Sequence, residues 1–131
     1  MANIEYETKV VGAGPLVKNL LDELKVVEVM DGLLRNQPEI DATYGELSQA
    51  IIINRMSLAP KPLYGMSKWA EESGVAQLLG IEASWLDDDR LGAMLEGLAK
   101  NQVNIWSQIV AKAVEKFGLE PEYLHSDTTS V

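Results

Sequence analysis

The chain of 131 residues has no cysteine and a single histidine, His125. Without thiols there is no disulfide, no thiolate metal site and no cysteine nucleophile, and a reducing compartment suits the chain. A zinc site or a Ser-His-Asp triad would have to use His125. Long apolar runs are missing too. The longest unbroken one, Ala50–Ile53, is far short of the ~20 residues that cross a bilayer, so no membrane partner is expected. Met1-Ala2-Asn3-Ile4-Glu5 has neither the basic start nor the apolar centre of a secretory signal, and a cytoplasmic address is expected. Cations are scarce: 11 Lys and Arg against 20 Asp and Glu leave a formal net charge of −9. Such a chain does not grip nucleic acid through its overall field, because neutralising phosphates takes a local excess of Lys and Arg. Any DNA contact needs a segregated basic patch.

What is present is ordinary for a globular domain. Apolar residues make up 47% and charged residues 24%, a composition that folds rather than staying disordered. The length suits one domain that buries roughly two-thirds of its unfolded surface. There is no internal repeat or low-complexity stretch, and helical spacing dominates. Residues 4–11 alternate partly and read as a short strand or extended arm. Gly12-Ala13-Gly14 breaks it, and Pro15 suits the first turn of a helix, where its missing N–H costs nothing. That helix, about 15–25, lines up Leu16, Leu20 and Leu24 with Val17 and Leu21. A second, about 27–35, carries Val29, Met30, Leu33 and Leu34, and residues 35–42 with Pro38 read as a loop.

Thr43 and Glu46 have capping-box spacing. The helix they open, about 44–58, is apolar on most sides and is expected at the centre of the fold. After Ala59-Pro60-Lys61-Pro62, a helix over about 63–73 holds Leu63, Met66, Trp69 and Ala70 and stops at Gly74. One further helical turn fills 75–79 before Gly80. Asp87-Asp88-Asp89 opens a helix of about 88–99 with Leu91, Met94, Leu95 and Leu98 on one face. Asn101 or Asn104 is expected to cap the last helix. Its stripe of Val103, Trp106, Val110, Ala113, Val114 and Phe117 is assigned to the core, and Gly118 ends it. The tail beyond Pro121 is β-prone, a strand without a partner. The expected fold class is mainly α: a compact bundle of about six to seven short helices, with a short N-terminal extended arm or strand and a C-terminal orphan strand.

The stretch Leu47–Ala70 contains Arg55, Lys61 and Lys68 and no acid. Its helix, proline-containing turn and helix have the outline of a helix-turn-helix. One reading lays Arg55, Lys61 and Lys68 against DNA phosphates. The other is a buried helical hairpin with solvated rim charges, and Glu71 and Glu72 follow at once. Gly12-Ala13-Gly14 lacks the Lys-Ser/Thr of a P-loop and the third glycine of a dinucleotide fingerprint, and reads as chain reversal. Asp87–Asp89 reads as a helix cap, since consecutive residues at a helix start are not expected to converge on one ion. His125 and Asp127, two apart on a strand, face one side, a set too small to hold a metal alone. Trp69, Trp85, Trp106 and the five methionines are expected in the core. No set of nucleophile, base and oxyanion donors is visible.

The run Leu124-His125-Ser126-Asp127-Thr128-Thr129-Ser130 resembles the stretch that opens the catalytic domain in a family of bacterial insertion-sequence transposases. These are DDE-type enzymes with an RNase H-like core. The residues before it resemble the helical domain of unknown function that precedes that core. The resemblance rests on Gly12-Ala13-Gly14-Pro15-Leu16, Tyr44-Gly45-Glu46, Arg55-Met56-Ser57, Lys61-Pro62-Leu63-Tyr64, Leu78-Leu79-Gly80, the run from Leu86 to Gly92, and the helix ending in Phe117-Gly118-Leu119. It spans nearly the whole chain. It implies a helical N-terminal domain over residues 1–121 and the start of the first strand of a truncated catalytic domain over 122–131, leading toward a missing RNase H-like core.

The resemblance also makes Asp127 the first of the carboxylates that hold Mg²⁺ in the full-length enzyme. The remaining acids would lie downstream. One carboxylate does not hold Mg²⁺, which takes several ligands and keeps its waters, so no catalysis and no cofactor are expected of this chain alone. The implied role is assistance in recognising transposon ends on duplex DNA or in assembling the transposase, with a homo-oligomer expected. The charge of −9 raises the standing of assembly. From another class comes a stand-alone interaction or dimerisation module without DNA binding.

Overall fold

A computed structural model describes residues 13–34, 41–57 and 60–118. Among them lie seven α-helices: α1 Gly14–Glu23, α2 Val26–Leu33, α3 Tyr44–Arg55, α4 Met66–Ser73, α5 Val75–Leu79, α6 Asp88–Lys100 and α7 Gln102–Phe117. Two 3-10 turns, Leu63–Gly65 and Ala83–Trp85, precede α4 and α6. No strand occurs among the described residues, and the fold is the mainly α bundle expected. The arm at 4–11, residues 35–40 of the expected loop and the strand at 122–131 lie outside the described residues. No described helix is long and apolar enough to cross a membrane.

Helix α3 is the hub. Thr43 caps it, its Oγ1 accepting the Glu46 N–H at 3.1 Å. It packs against α1, α2, α4, α5 and α6, and Leu47, Ala50 and Ile53 are buried together with the polar Ser48, Gln49 and Asn54. This matches a helix with apolar residues on most sides. Gly45, on its first turn, is buried where α3 meets α2. A Cβ there would lie 2.6 Å from the Val27 carbonyl oxygen and 2.8 Å from Asp31 Oδ1, so only glycine permits the approach. The Gly45 N–H donates to that same Asp31 oxygen at 2.8 Å.

Two expected stripes turn out differently. In α1, Val17 and Leu21 face the core with Leu24 partly buried, whereas Leu16 is 74% exposed and Leu20 is exposed as well. The helix packs on α2, α3 and α5 through the Val17–Leu21 edge, and Leu16 and Leu20 sit about 100° away on the helix wheel. In α7 the correction is larger. Ile105 is buried and Ile109 packs on the core, while Val103, Trp106 and Phe117 are exposed. This helix has two apolar faces, and the domain packs the Ile105–Ile109 face against α2 and α6. Spacing alone does not say which face turns inward. Trp69 and Trp85 do pack against the core, but Trp106 does not.

Local chemistry sets the ends. Helix α3 stops at Arg55, short of the expected 58. Ser57 Oγ donates to the Asn54 carbonyl at 2.6 Å, and the chain leaves the helix before Pro60. Gly74, at φ 82, joins α4 to α5 in the left-handed conformation that glycine adopts without a Cβ clash. Asp87 caps α6 as expected, its Oδ1 accepting the Arg90 N–H at 2.8 Å. Asn101 precedes α7 without capping it. Its Nδ2 donates back to the Gly97 carbonyl at 2.9 Å, which satisfies the end of α6 instead. Asn104 lies inside α7.

Candidate nucleic-acid interface

Arg55, Lys61 and Lys68 fall on one hairpin. Arg55 closes α3, Lys61 lies in the connection, and Lys68 stands in α4. All three are exposed. Lys68 approaches Glu72 at 3.8 Å, with both side chains mostly in solvent, a pairing worth little in water. Among the described residues Arg55 and Lys61 enter no ion pair. The connection is longer than the tight turn expected, because α4 proper begins at Met66 after the 3-10 turn Leu63–Gly65. This departs from a compact helix-turn-helix, whose turn is three or four residues.

A buried side chain fixes that connection. Asn54 is fully buried, and its Oδ1 accepts the Lys61 N–H at 3.2 Å. The bond ties the last turn of α3 to the far side of the turn, seven residues on. The orientation of the amide follows from it, since the Lys61 N–H demands an acceptor. Asn54 Nδ2 has no partner among the described residues. Lys61 also rests on Gly65, whose absent Cβ would lie 3.4 Å from Lys61 Cβ. The hairpin exposes Tyr64 (82%) and Met56 (62%) as well. Met56 departs from its expected place in the core, and Tyr64 did not stand out from the sequence as a contact residue. The signal was there: an aromatic between proline and glycine in a cationic turn. Chemically the hairpin offers three exposed cations and an exposed phenol, groups that suit phosphate oxygens.

The other candidates assemble less. One carboxylate oxygen from each of Asp87, Asp88 and Asp89 lies within 4.8 Å of the others, closer than expected for consecutive residues at a helix start. All three are exposed. Asp87 is already engaged by the Arg90 backbone at 2.8 Å, with the guanidinium at 3.9 Å. The trio complements the positive end of α6. A cleft of about 350 Å³ beside Leu34, Tyr44 and Gly97 contains one carboxylate, Glu96, which faces Lys100 at 3.9 Å. His125 and Asp127 lie outside the described residues.

No curated protein and no solved structure matches the chain. Residues 6–112 match a family described as "Domain of unknown function (DUF4277)", a span that holds α1 to α6, most of α7 and the whole Arg55–Lys68 hairpin. The chain therefore belongs to the DUF4277 family.

Proposed function

We propose that this is the helical N-terminal domain of a DNA transposase, working in the cytoplasm, and that it helps the transposition complex hold duplex DNA through Arg55, Lys61 and Lys68. The observation that carries the reading is the exposed hairpin. Three of the 11 cations and none of the 20 acids fall between Leu47 and Ala70, so a chain of net charge −9 still offers a local cationic surface. The long connection between α3 and α4 favours phosphate contact over a helix seated in the major groove. Phosphate contacts position a protein on DNA without reading its sequence, which fits assistance at transposon ends rather than their sole recognition. In this reading the domain has no catalysis of its own. Asp127 belongs to the full-length enzyme's catalytic core, and Mg²⁺ is bound there.

The experiment is fluorescence anisotropy with a labelled duplex at low salt. Three phosphate contacts give a slope of about −2.7 in log K against log salt. Changing Arg55, Lys61 and Lys68 together to Ala removes the binding. No binding at low salt, or equal affinity of the triple variant, overturns the proposal. The second reading, an interaction or dimerisation module without DNA affinity, is favoured by the apolar residues that α7 turns to solvent. It predicts a dimer indifferent to the triple substitution.

A further inference from the structure

We propose that α7 is a self-pairing helix, and that two copies of this chain meet along its outer seam about a two-fold axis. The inference deepens the dimerisation reading and is independent of whether the hairpin holds DNA.

The seam is defined by spacing. Val103, Trp106, Val110, Ala113 and Phe117 follow one another at steps of three, four, three and four. That alternation keeps one stripe facing a partner helix along its length. The domain's own packing uses a different face of α7, through Ile105 and Ile109. Three seam residues are left outside, Val103 at 76% exposed, Trp106 at 55% and Phe117 at 48%, and Val110 and Ala113 between them are half-buried. These three side chains alone present roughly 400 Å² of accessible surface, a patch of the size that marks interaction sites on monomers.

Charge selects the occupant. Two chains of net charge −9 repel one another across most of their surfaces. The stretch from Gly97 to Val114 contains no acid. The one acid of α7, Glu115, is flanked by Lys112 and Lys116 and stands off the seam. The seam is thus a surface where two acidic copies approach without carboxylates meeting. Among the described residues from Gly97 to Val114 it also lacks the acidic flank that would hold a basic partner. A two-fold pairing is self-complementary and closes at two copies.

The area sets the strength. Helix α7 has 16 residues and is ~24 Å long. Two such helices bury on the order of 1,000 Å² in all, at the lower end for specific association. An interface of this size suits a reversible dimer, so the test spans the micromolar range.

Sedimentation velocity on the full chain from ~1 to ~200 µM tests this. The chain is expected to pass from monomer to dimer across that range. Trp106→Glu brings two carboxylates into the seam and weakens the dimer by about 100-fold or more, with unchanged helical circular dichroism. Val103→Glu, at a still more exposed position, serves if the Trp106 variant loses structure. Leu16→Glu, on the exposed edge of α1, leaves the dimer in place. Because the chain has no cysteine, Val103→Cys or Val110→Cys provides a unique thiol, and a short bis-maleimide joins two copies at Val110 but not at a cysteine placed at Leu16. A chain that stays monomeric at ~200 µM overturns both this inference and the dimerisation reading. That outcome includes one in which Trp106 is shielded by another part of the same chain. A dimer indifferent to Trp106→Glu and Val103→Glu, or one lost with Leu16→Glu, overturns the α7 seam while leaving the broader reading standing.

Discussion

Replacing Gly45 by Ala adds one methyl group where α3 meets α2. The new Cβ would sit 2.6 Å from the Val27 carbonyl oxygen and 2.8 Å from Asp31 Oδ1, well inside contact distance. The Asp31 carboxylate can rotate away, but only by giving up the 2.8 Å hydrogen bond from the Gly45 N–H. The Val27 carbonyl is part of α2 and cannot move without carrying the helix. Overpacking of this kind costs about 1–3 kcal/mol, and losing a hydrogen bond to a carboxylate costs about 1.5–3 kcal/mol. Against this, Ala improves helix propensity over Gly by up to about 1 kcal/mol. The net destabilisation is about 1.5–5 kcal/mol. For a domain of this size that lowers Tm by about 5–20 °C, read by thermal circular dichroism at 222 nm. A Gly45→Ala protein whose Tm is unchanged or raised would mean that α2 and α3 do not approach this closely.

Two further substitutions probe the α3–α4 connection and the junction of α1 with α2. Asn54→Ala removes the acceptor for the Lys61 N–H and leaves a buried gap. It should cost about 2 kcal/mol and speed hydrogen exchange at the Lys61 amide, whereas unchanged exchange there would disprove the clamp. Lys25, between α1 and α2, has φ 56, a left-handed conformation that costs a side chain about 1–2 kcal/mol. Lys25→Gly should therefore raise stability by about 0.5–1 kcal/mol after the entropy lost by glycine, measured by urea unfolding, and a loss of stability would contradict it.

Much of the bundle was legible wherever a local signal has a local cause. Thr43 and Asp87 each open a helix with a side-chain cap, and Gly74, Gly80 and Gly118 each end one in the left-handed conformation. These depend on residues within a turn of one another. The exposed stripes of α1 and α7 were not legible, because each helix carries more than one apolar edge and the choice is made by distant helices. Leu16–Leu20 competes with Val17–Leu21, and Val103–Trp106 with Ile105–Ile109. The buried Asn54 was missed for the same reason: its partner is a backbone N–H seven residues away, reached only after the chain turns. At the candidate site, the absence of acids from Leu47 to Ala70 pointed to Arg55, Lys61 and Lys68, all of which are exposed. The length of their connection was not foreseen, since the 3-10 turn Leu63–Gly65 delays the start of α4 to Met66.

In the proposed function this acidic chain contacts duplex DNA through the Arg55–Lys68 hairpin. The most direct measurement of that contact is the salt dependence of duplex binding for the native chain beside single Ala variants of Arg55, Lys61 and Lys68. The expected result is a native slope of about −2.7 in log K against log salt, and a slope shallower by about 0.9 for each cation removed. A slope near zero, or one that none of the three substitutions changes, contradicts it.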